Sequence, residues 1–243
     1  MTPRLFLAPL AAALASPAWA GPPFVTDDPQ PTDFGHWEIY NFVAGAHTPG
    51  VTSGEAGFDL NYGAAKDLQL TLVLPAGWED TDRLRVGAGT VEAAAKLKVL
   101  HQREGSWIPD VAVFPRVFLP TADRRFGSDR LGILLPVWVG KDAGKWSVFG
   151  GGGYQINPGP GNRDFWISGL AVTRALSDRL TIGAEVDHHT RDSAEGRDFT
   201  GANLGVIYKL VDHWSLLAAA GPGLQNPREE GRYAFYLALE ATY

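Results

Sequence analysis

The sequence predicts an all-β chain, folded as an antiparallel, up-and-down transmembrane β-barrel of about 12 strands. Three observations predict it. The final stretch alternates Tyr233, Phe235, Leu237, Leu239, Ala241 and Tyr243 with Arg232, Ala234, Tyr236, Ala238, Glu240 and Thr242, and a period of two means a strand. Segments of strand length fill the chain beyond residue 36. The connections between them alternate between short turns and longer, polar loops. Aromatic residues at both ends of an apolar face suit the two headgroup levels of a bilayer. The alternative is a soluble secreted β-sandwich, whose strands alternate in the same way.

Residues 1–20 read as a signal peptide. Arg4 gives a positive start, residues 5–14 are an apolar run, and Ala18-Trp19-Ala20 is a cleavage site. The expected product begins at Gly21 and leaves the cytoplasm. Residues 21–36 form a Pro/Asp-rich N-terminal segment on the periplasmic side, too rich in proline for a helix or central strand. It is either a tether or a segment folded back into the barrel mouth. Residues 37–243 are the barrel.

Composition excludes several classes. The chain has no Cys, so it has no disulfide framework and no thiolate site. Its formal charge is −6, without the Lys/Arg cluster of a nucleic-acid groove. No further apolar run is long enough for a transmembrane helix, so membrane residence requires a closed barrel, which pairs every strand's backbone.

The strand segments follow in order. Residues 37–46 do not separate cleanly into two faces. Residues 53–62 do, with Ala56, Phe58, Leu60 and Tyr62 against Glu55, Gly57, Asp59 and Asn61. Residues 68–75 set four leucines against Gln69, Thr71 and Val73. Residues 84–100 place Glu92, Lys96 and Lys98 on one face. Residues 111–119 set valines and Leu119 opposite Arg116. Residues 131–139 are more uniformly apolar, residues 146–156 contain the run Gly150-Gly151-Gly152-Gly153, and residues 165–174 follow. Residues 180–188 alternate Leu180, Ile182, Ala184 and Val186 with Thr181, Gly183, Glu185 and Asp187. Residues 200–210 oppose Ala202, Leu204, Val206 and Tyr208 to Asn203 and Lys209. Residues 214–221 and the terminal strand complete the set. Asp67, Asp178 and Asp212 each stand just ahead of a strand, where a carboxylate accepting nearby backbone N–H bonds favours a tight turn.

If the apolar faces meet lipid, the lumen-lining candidates are Glu55, Asp59, Asn61, Gln69, Glu92, Lys96, Lys98, Arg116, Glu185, Asp187, Asn203, Lys209 and Glu240. They either pair and plug a narrow barrel or leave a selective passage. Trp37, Trp138, Trp146, Trp166 and Trp214 fall near strand ends; most are expected in the aromatic girdles, with a minority lining a path for aromatic compounds as the alternative. His188 and His189 are adjacent on one strand and point to opposite faces, which argues against a shared metal ion.

Two motifs carry a resemblance. Pro23-Phe24-Val25-Thr26-Asp27-Asp28-Pro29 with Gly35-His36-Trp37-Glu38 is the first. Residues 150–162, Gly-Gly-Gly-Gly-Tyr-Gln-Ile-Asn-Pro-Gly-Pro-Gly-Asn, are the second. Together they resemble a family of bacterial outer-membrane proteins labelled by a link to the meta pathway of phenol degradation and called transporters. The likeness spans the expected mature chain, and its terminal Tyr243 stands where Phe is commoner. It implies an outer-membrane location, contact with outer-membrane lipid, delivery to the barrel-assembly machinery through the C-terminal strand, and passage of small solutes, hydrophobic or aromatic ones among them. From the residues themselves no cofactor, metal or nucleic acid is expected. An enzyme is not expected, because no nucleophile motif such as G-x-S-x-G surrounds Ser168, Ser193 or Ser215. A structural or adhesive barrel acting through its outer loops is the main alternative, and a lipid-modifying barrel enzyme a lesser one.

Overall fold

The computed structural model describes residues 23–103 and 105–243; the expected signal peptide lies outside them. Fourteen strands form one sheet: β1 (Trp37–Thr48), β2 (Val51–Ala65), β3 (Leu68–Asp80), β4 (Leu84–Ala88), β5 (Glu92–Leu100), β6 (Asp110–Val113), β7 (Arg116–Phe118), β8 (Gly132–Ala143), β9 (Trp146–Ile156), β10 (Phe165–Ala175), β11 (Leu180–His189), β12 (Phe199–Val211), β13 (Trp214–Gln225) and β14 (Tyr233–Thr242). Each pairs antiparallel with its neighbours, and β14 pairs with β1, so the sheet closes on itself.

The barrel has twelve staves, because two staves are each built from two strands. β4 and β5 both pair with β3, and β6 and β7 both pair with β5 and β8. The second break falls at Phe114-Pro115, where proline has no N–H to give the ladder. Phe114 N still donates to Pro136 O at 3.1 Å, and Ala95 N donates to Pro115 O at 3.2 Å. The first break is bridged by the loop after β7: Leu119 N donates to Val91 O at 2.8 Å, and Val91 N to Thr121 Oγ1 at 2.8 Å.

The faces are reversed relative to a soluble sandwich. On β3 the leucines 70, 72 and 74 are 47%, 38% and 42% exposed, while Gln69 and Thr71 are buried. Buried polar residues inside an exposed apolar wall suit a lipid surround, and the two-sheet alternative falls with the closed topology. Trp37, Trp146, Trp166 and Trp214 lie exposed near strand ends. Trp138 is the exception among the expected girdle residues. It is only 1% exposed and pairs across β6 and β9 with Ala112 and Gly151, facing the lumen. Its strand is apolar on both faces, so alternation does not reveal its direction.

The three Asp-led turns are built differently from one another. Asp67 itself takes a left-handed conformation (φ 65°), and its carboxylate meets the His101 ring at 3.1 Å. In the last turn His213, not Asp212, is left-handed (φ 69°). In the middle one, Ser177 Oγ accepts from Arg179 N and Leu180 N. The run Gly150–Gly153 serves close approach. A Cβ there comes within 2.1–2.6 Å of carbonyl oxygens on β8 and β10, so only glycine lets β9 sit so near both neighbours.

Candidate functional site

The lumen wall has two unlike sectors. On β2, β3, β5 and β7, side chains of both signs are joined. Arg116 donates to both oxygens of Glu92, at 2.6 and 2.8 Å. Its guanidinium also lies over the rings of Phe114 and Phe118. Asn61 donates to Asp59 at 2.9 Å and accepts from Gln69 at 2.7 Å. A bidentate pair of this kind satisfies both charges where water is scarce.

The facing sector is apolar. Tyr40, Phe42, Leu217 and Tyr236 are buried on the inner face, with Phe149 and Ile207 packed against them. Phe42 and Tyr236 stack with ring centroids 6.2 Å apart. This corrects the expectation of a lumen lined by polar faces alone. It also explains why residues 37–46 resist sorting: Tyr40 and Phe42 point inward while Ile39 and Val43 point outward.

Residues 23–34 occupy the lumen between these sectors. Glu185 receives their backbone through Val25 N at 3.0 Å and Thr26 N at 2.8 Å, and also binds Asn203 Nδ2 at 2.9 Å. Asp27 pairs with Lys96 at 2.9 Å. Gln30 Nε2 donates to Asp110 at 2.7 Å, and Lys98 Nζ donates to Gln30 Oε1. Thr32 N donates to Gln69 Oε1 at 2.8 Å. The anchors at Glu185 and Gln69 satisfy backbone N–H groups of Val25, Thr26 and Thr32 that have no ladder to join, while Asp28 N and Gln30 N donate within the segment, to the Asp27 and Asp28 carboxylates. Burial pushes the Asp28 carboxyl above the usual range, with Lys96 opposing.

Glycines make room on the other side. A Cβ on Gly183 or Gly205 would come within 2.8 or 2.6 Å of the Phe24 ring, and one on Gly169 within 2.0 Å of Thr26 Oγ1. The N-terminal segment, expected on the periplasmic side, is thus housed in a lumen shaped to receive it.

Above this segment lies a cavity of about 610 Å³ toward the loop-bearing end, within the roughly 300–1,000 Å³ usual for small-molecule sites. Val25 and Thr26 contribute to its floor, and Trp138, Phe165, Ile167 and Phe199 to its walls. His189 sits between Phe165 and Phe199, at ring distances of 6.0 and 5.4 Å. Phe126, from the loop after β7, folds in over Gly77 and Gly87. Asp192, in the loop after β11, has its carboxyl raised by burial, with His189 pulling it back down.

The sequence candidates divide accordingly. Asp59, Asn61, Gln69, Glu92, Lys96, Lys98 and Arg116 lie in the polar sector. Glu185, Asp187 and Asn203 form a second group, linked by Asn203. Glu240 accepts from Tyr40 at 3.1 Å, and Glu55 lines the cavity. Lys209 is not brought to any of these. Its side chain is 48% exposed at the far end of β12 and pairs with Asp212 at 3.0 Å. Sequence reasoning left the N-terminal segment open between a tether and a fold back into the barrel mouth, and it missed the inward aromatics on β1. The signal that marks the segment is glycine at inward positions 169, 183 and 205, where a strand gains nothing from losing its side chain unless another chain approaches.

These features define a class: a transmembrane β-barrel of the outer-membrane type, closed by twelve staves and occupied by its own N-terminal segment. Among solved structures the chain is similar to the COG4313 outer membrane channel from Pseudomonas putida F1, with 15% identity and a TM-score of 0.72 over 89% of this chain and 98% of that one. It is also similar to the NanC porin, with 9% identity and a TM-score of 0.58 over 85% of this chain and 99% of that one. No family model matches the chain, and no curated protein does. The likeness is one of fold.

Proposed function

We propose that the protein is an outer-membrane channel or transporter for small solutes, hydrophobic or aromatic ones among them. The observation that carries this reading is the 610 Å³ cavity, walled by Trp138, Phe165 and Phe199 and closed beneath by residues 23–34. An aromatic wall offers a flat solute dispersion and stacking contacts, and the apolar sector continues that surface past Phe24 toward the other end. In this reading the twelve lumen candidates other than Lys209 line or brace the path, and residues 23–34 occlude it at rest. The solved channel from Pseudomonas putida and the NanC porin support it as proteins of like fold, and the resemblance of two sequence motifs to the phenol-degradation family favours aromatic cargo. The expected signal peptide and the aromatic-ended β14 fit export and insertion by the barrel-assembly machinery.

The test is current through a planar bilayer containing the purified protein. Aromatic solutes such as benzyl alcohol, added on the loop side, are expected to interrupt the current, and sugars of similar size are not. Deleting residues 23–34 is expected to raise conductance several-fold. A protein that passes no current with or without that segment, and shows no solute-dependent block, contradicts the reading.

A further inference from the structure

The cavity has a charge as well as a shape. Glu55 and Asp187 lie low on its wall, Asp192 and Glu195 come from the loop after β11, and Glu229 and Glu230 from the loop after β13. Glu79 also reaches it, but Arg125 and Arg85 neutralise that carboxylate at 3.0 and 3.2 Å. Arg125 is the one Lys or Arg among the described residues that line the space, and it is already engaged with Glu79. His188 and His189 are the other basic side chains there. His188 is turned toward Thr200 at 2.9 Å, and His189 lies between two phenylalanine rings. The space is therefore acidic, and its walls are aromatic.

A second observation sits at the floor. Thr26 and Trp138, each 1% exposed, line the cavity, and Thr26 Oγ1 has no hydrogen-bond partner. An unused hydroxyl acceptor and a tryptophan ring, with carboxylates around them, are what an ammonium group takes. The ring face attracts a cation through its quadrupole, most strongly where water is thin. The hydroxyl accepts an N–H, and the carboxylates supply field without binding in a fixed geometry.

From this juxtaposition we infer that the cavity selects organic cations: aromatic or short-chain ammonium ions, in preference to neutral or anionic molecules of the same size. The inference rests on the reading of the cavity as the solute-receiving side, and it narrows that reading to a chemical class. The carboxylates concentrate the cation at the mouth. Phe165, Phe199 and Trp138 then hold its apolar part.

The experiment uses the full chain in lipid nanodiscs and titration calorimetry with three probes: benzylammonium, benzyl alcohol and benzenesulfonate. The cation is expected to bind about tenfold more tightly than the neutral alcohol, and the sulfonate most weakly. Raising salt from about 0.05 to 0.5 M is expected to erase several-fold of that preference, because exposed loop carboxylates are screened. The double variant Asp192→Asn, Glu195→Gln removes two of the lining charges, and is expected to weaken the cation several-fold and benzyl alcohol much less. Equal binding of cation and alcohol, tighter binding of the sulfonate, or a cation affinity indifferent to both salt and the double variant overturns the inference. The two readings fail separately. If benzyl alcohol blocks the bilayer current but the cation has no advantage, the channel stands and the cation preference falls. If the cation binds with the stated preference but no current passes, the cation site stands and the channel falls.

Discussion

The two sectors of the lumen hold the same segment by opposite means. The polar sector fixes residues 23–34 with directional bonds: Asp27 to Lys96, Gln30 to Asp110, Thr32 to Gln69. The apolar sector and its glycines hold Phe24 by fit, with Glu185 beside them adding directional bonds to Val25 N and Thr26 N. Directional bonds set register, and the loss of one leaves a buried partner unsatisfied. Fit is tolerant of small changes but not of added volume. An occluding segment held on one side by each can be released from either side, and the two releases have different signatures.

The harshest way to break the comparison is Arg116→Ala. It leaves Glu92 charged and buried, a loss of about 3–5 kcal/mol, and the barrel itself is expected to lose its resistance to unfolding on unboiled gels. Next is Gly205→Val, on the side held by fit. The new side chain meets the Phe24 ring and costs about 1–3 kcal/mol; conductance is expected to rise while the gel shift on boiling is kept. Glu185→Gln is milder. It keeps one acceptor but loses the charge that strengthens two backbone bonds, about 1 kcal/mol, and conductance is expected to rise a few-fold.

The Asp28 carboxyl gives a pH-dependent sharpening. Burial raises its value in the docked segment, so between the ordinary and the raised value the docked state binds more proton than the released one. Docking is therefore strongest below the ordinary carboxylate value near 4 and weakens as pH rises through the raised one. The closed fraction is expected to grow on acidification across that window, and Asp28→Asn is expected to flatten the step in current recordings. The smallest effect belongs to Asp212→Asn. Lys209 holds that carboxyl below its usual range through a hydrogen bond at the surface, and no change in stability or current is expected, since exposed pairs contribute little.

The stave count, the closure, the outward leucines and most inward polar residues were legible in the sequence, because period two states which residues share a face. What escaped were places where that logic is silent. Trp138 lies on a strand apolar on both sides. Tyr40 and Phe42 face inward because one sector of the lumen is itself apolar. Residues 23–34 form no ladder of their own, so their position is written in the wall, at Gly169, Gly183 and Gly205, more than in themselves. Lys209 alternates correctly, yet it sits beyond the lumen at a strand end.

The central claim is that residues 23–34 lie docked within the lumen beneath the cavity, and a disulfide tests it most directly. The chain has no cysteine of its own. A Cβ on Gly169 falls 3.1 Å from that of Thr26, a small adjustment from the roughly 3.5–4.5 Å of a disulfide. The pair Thr26→Cys, Gly169→Cys is predicted to bond spontaneously in protein taken from the membrane, with conductance low until a reductant is added. Two free thiols that both label with maleimide, and a current that ignores reductant, would contradict it.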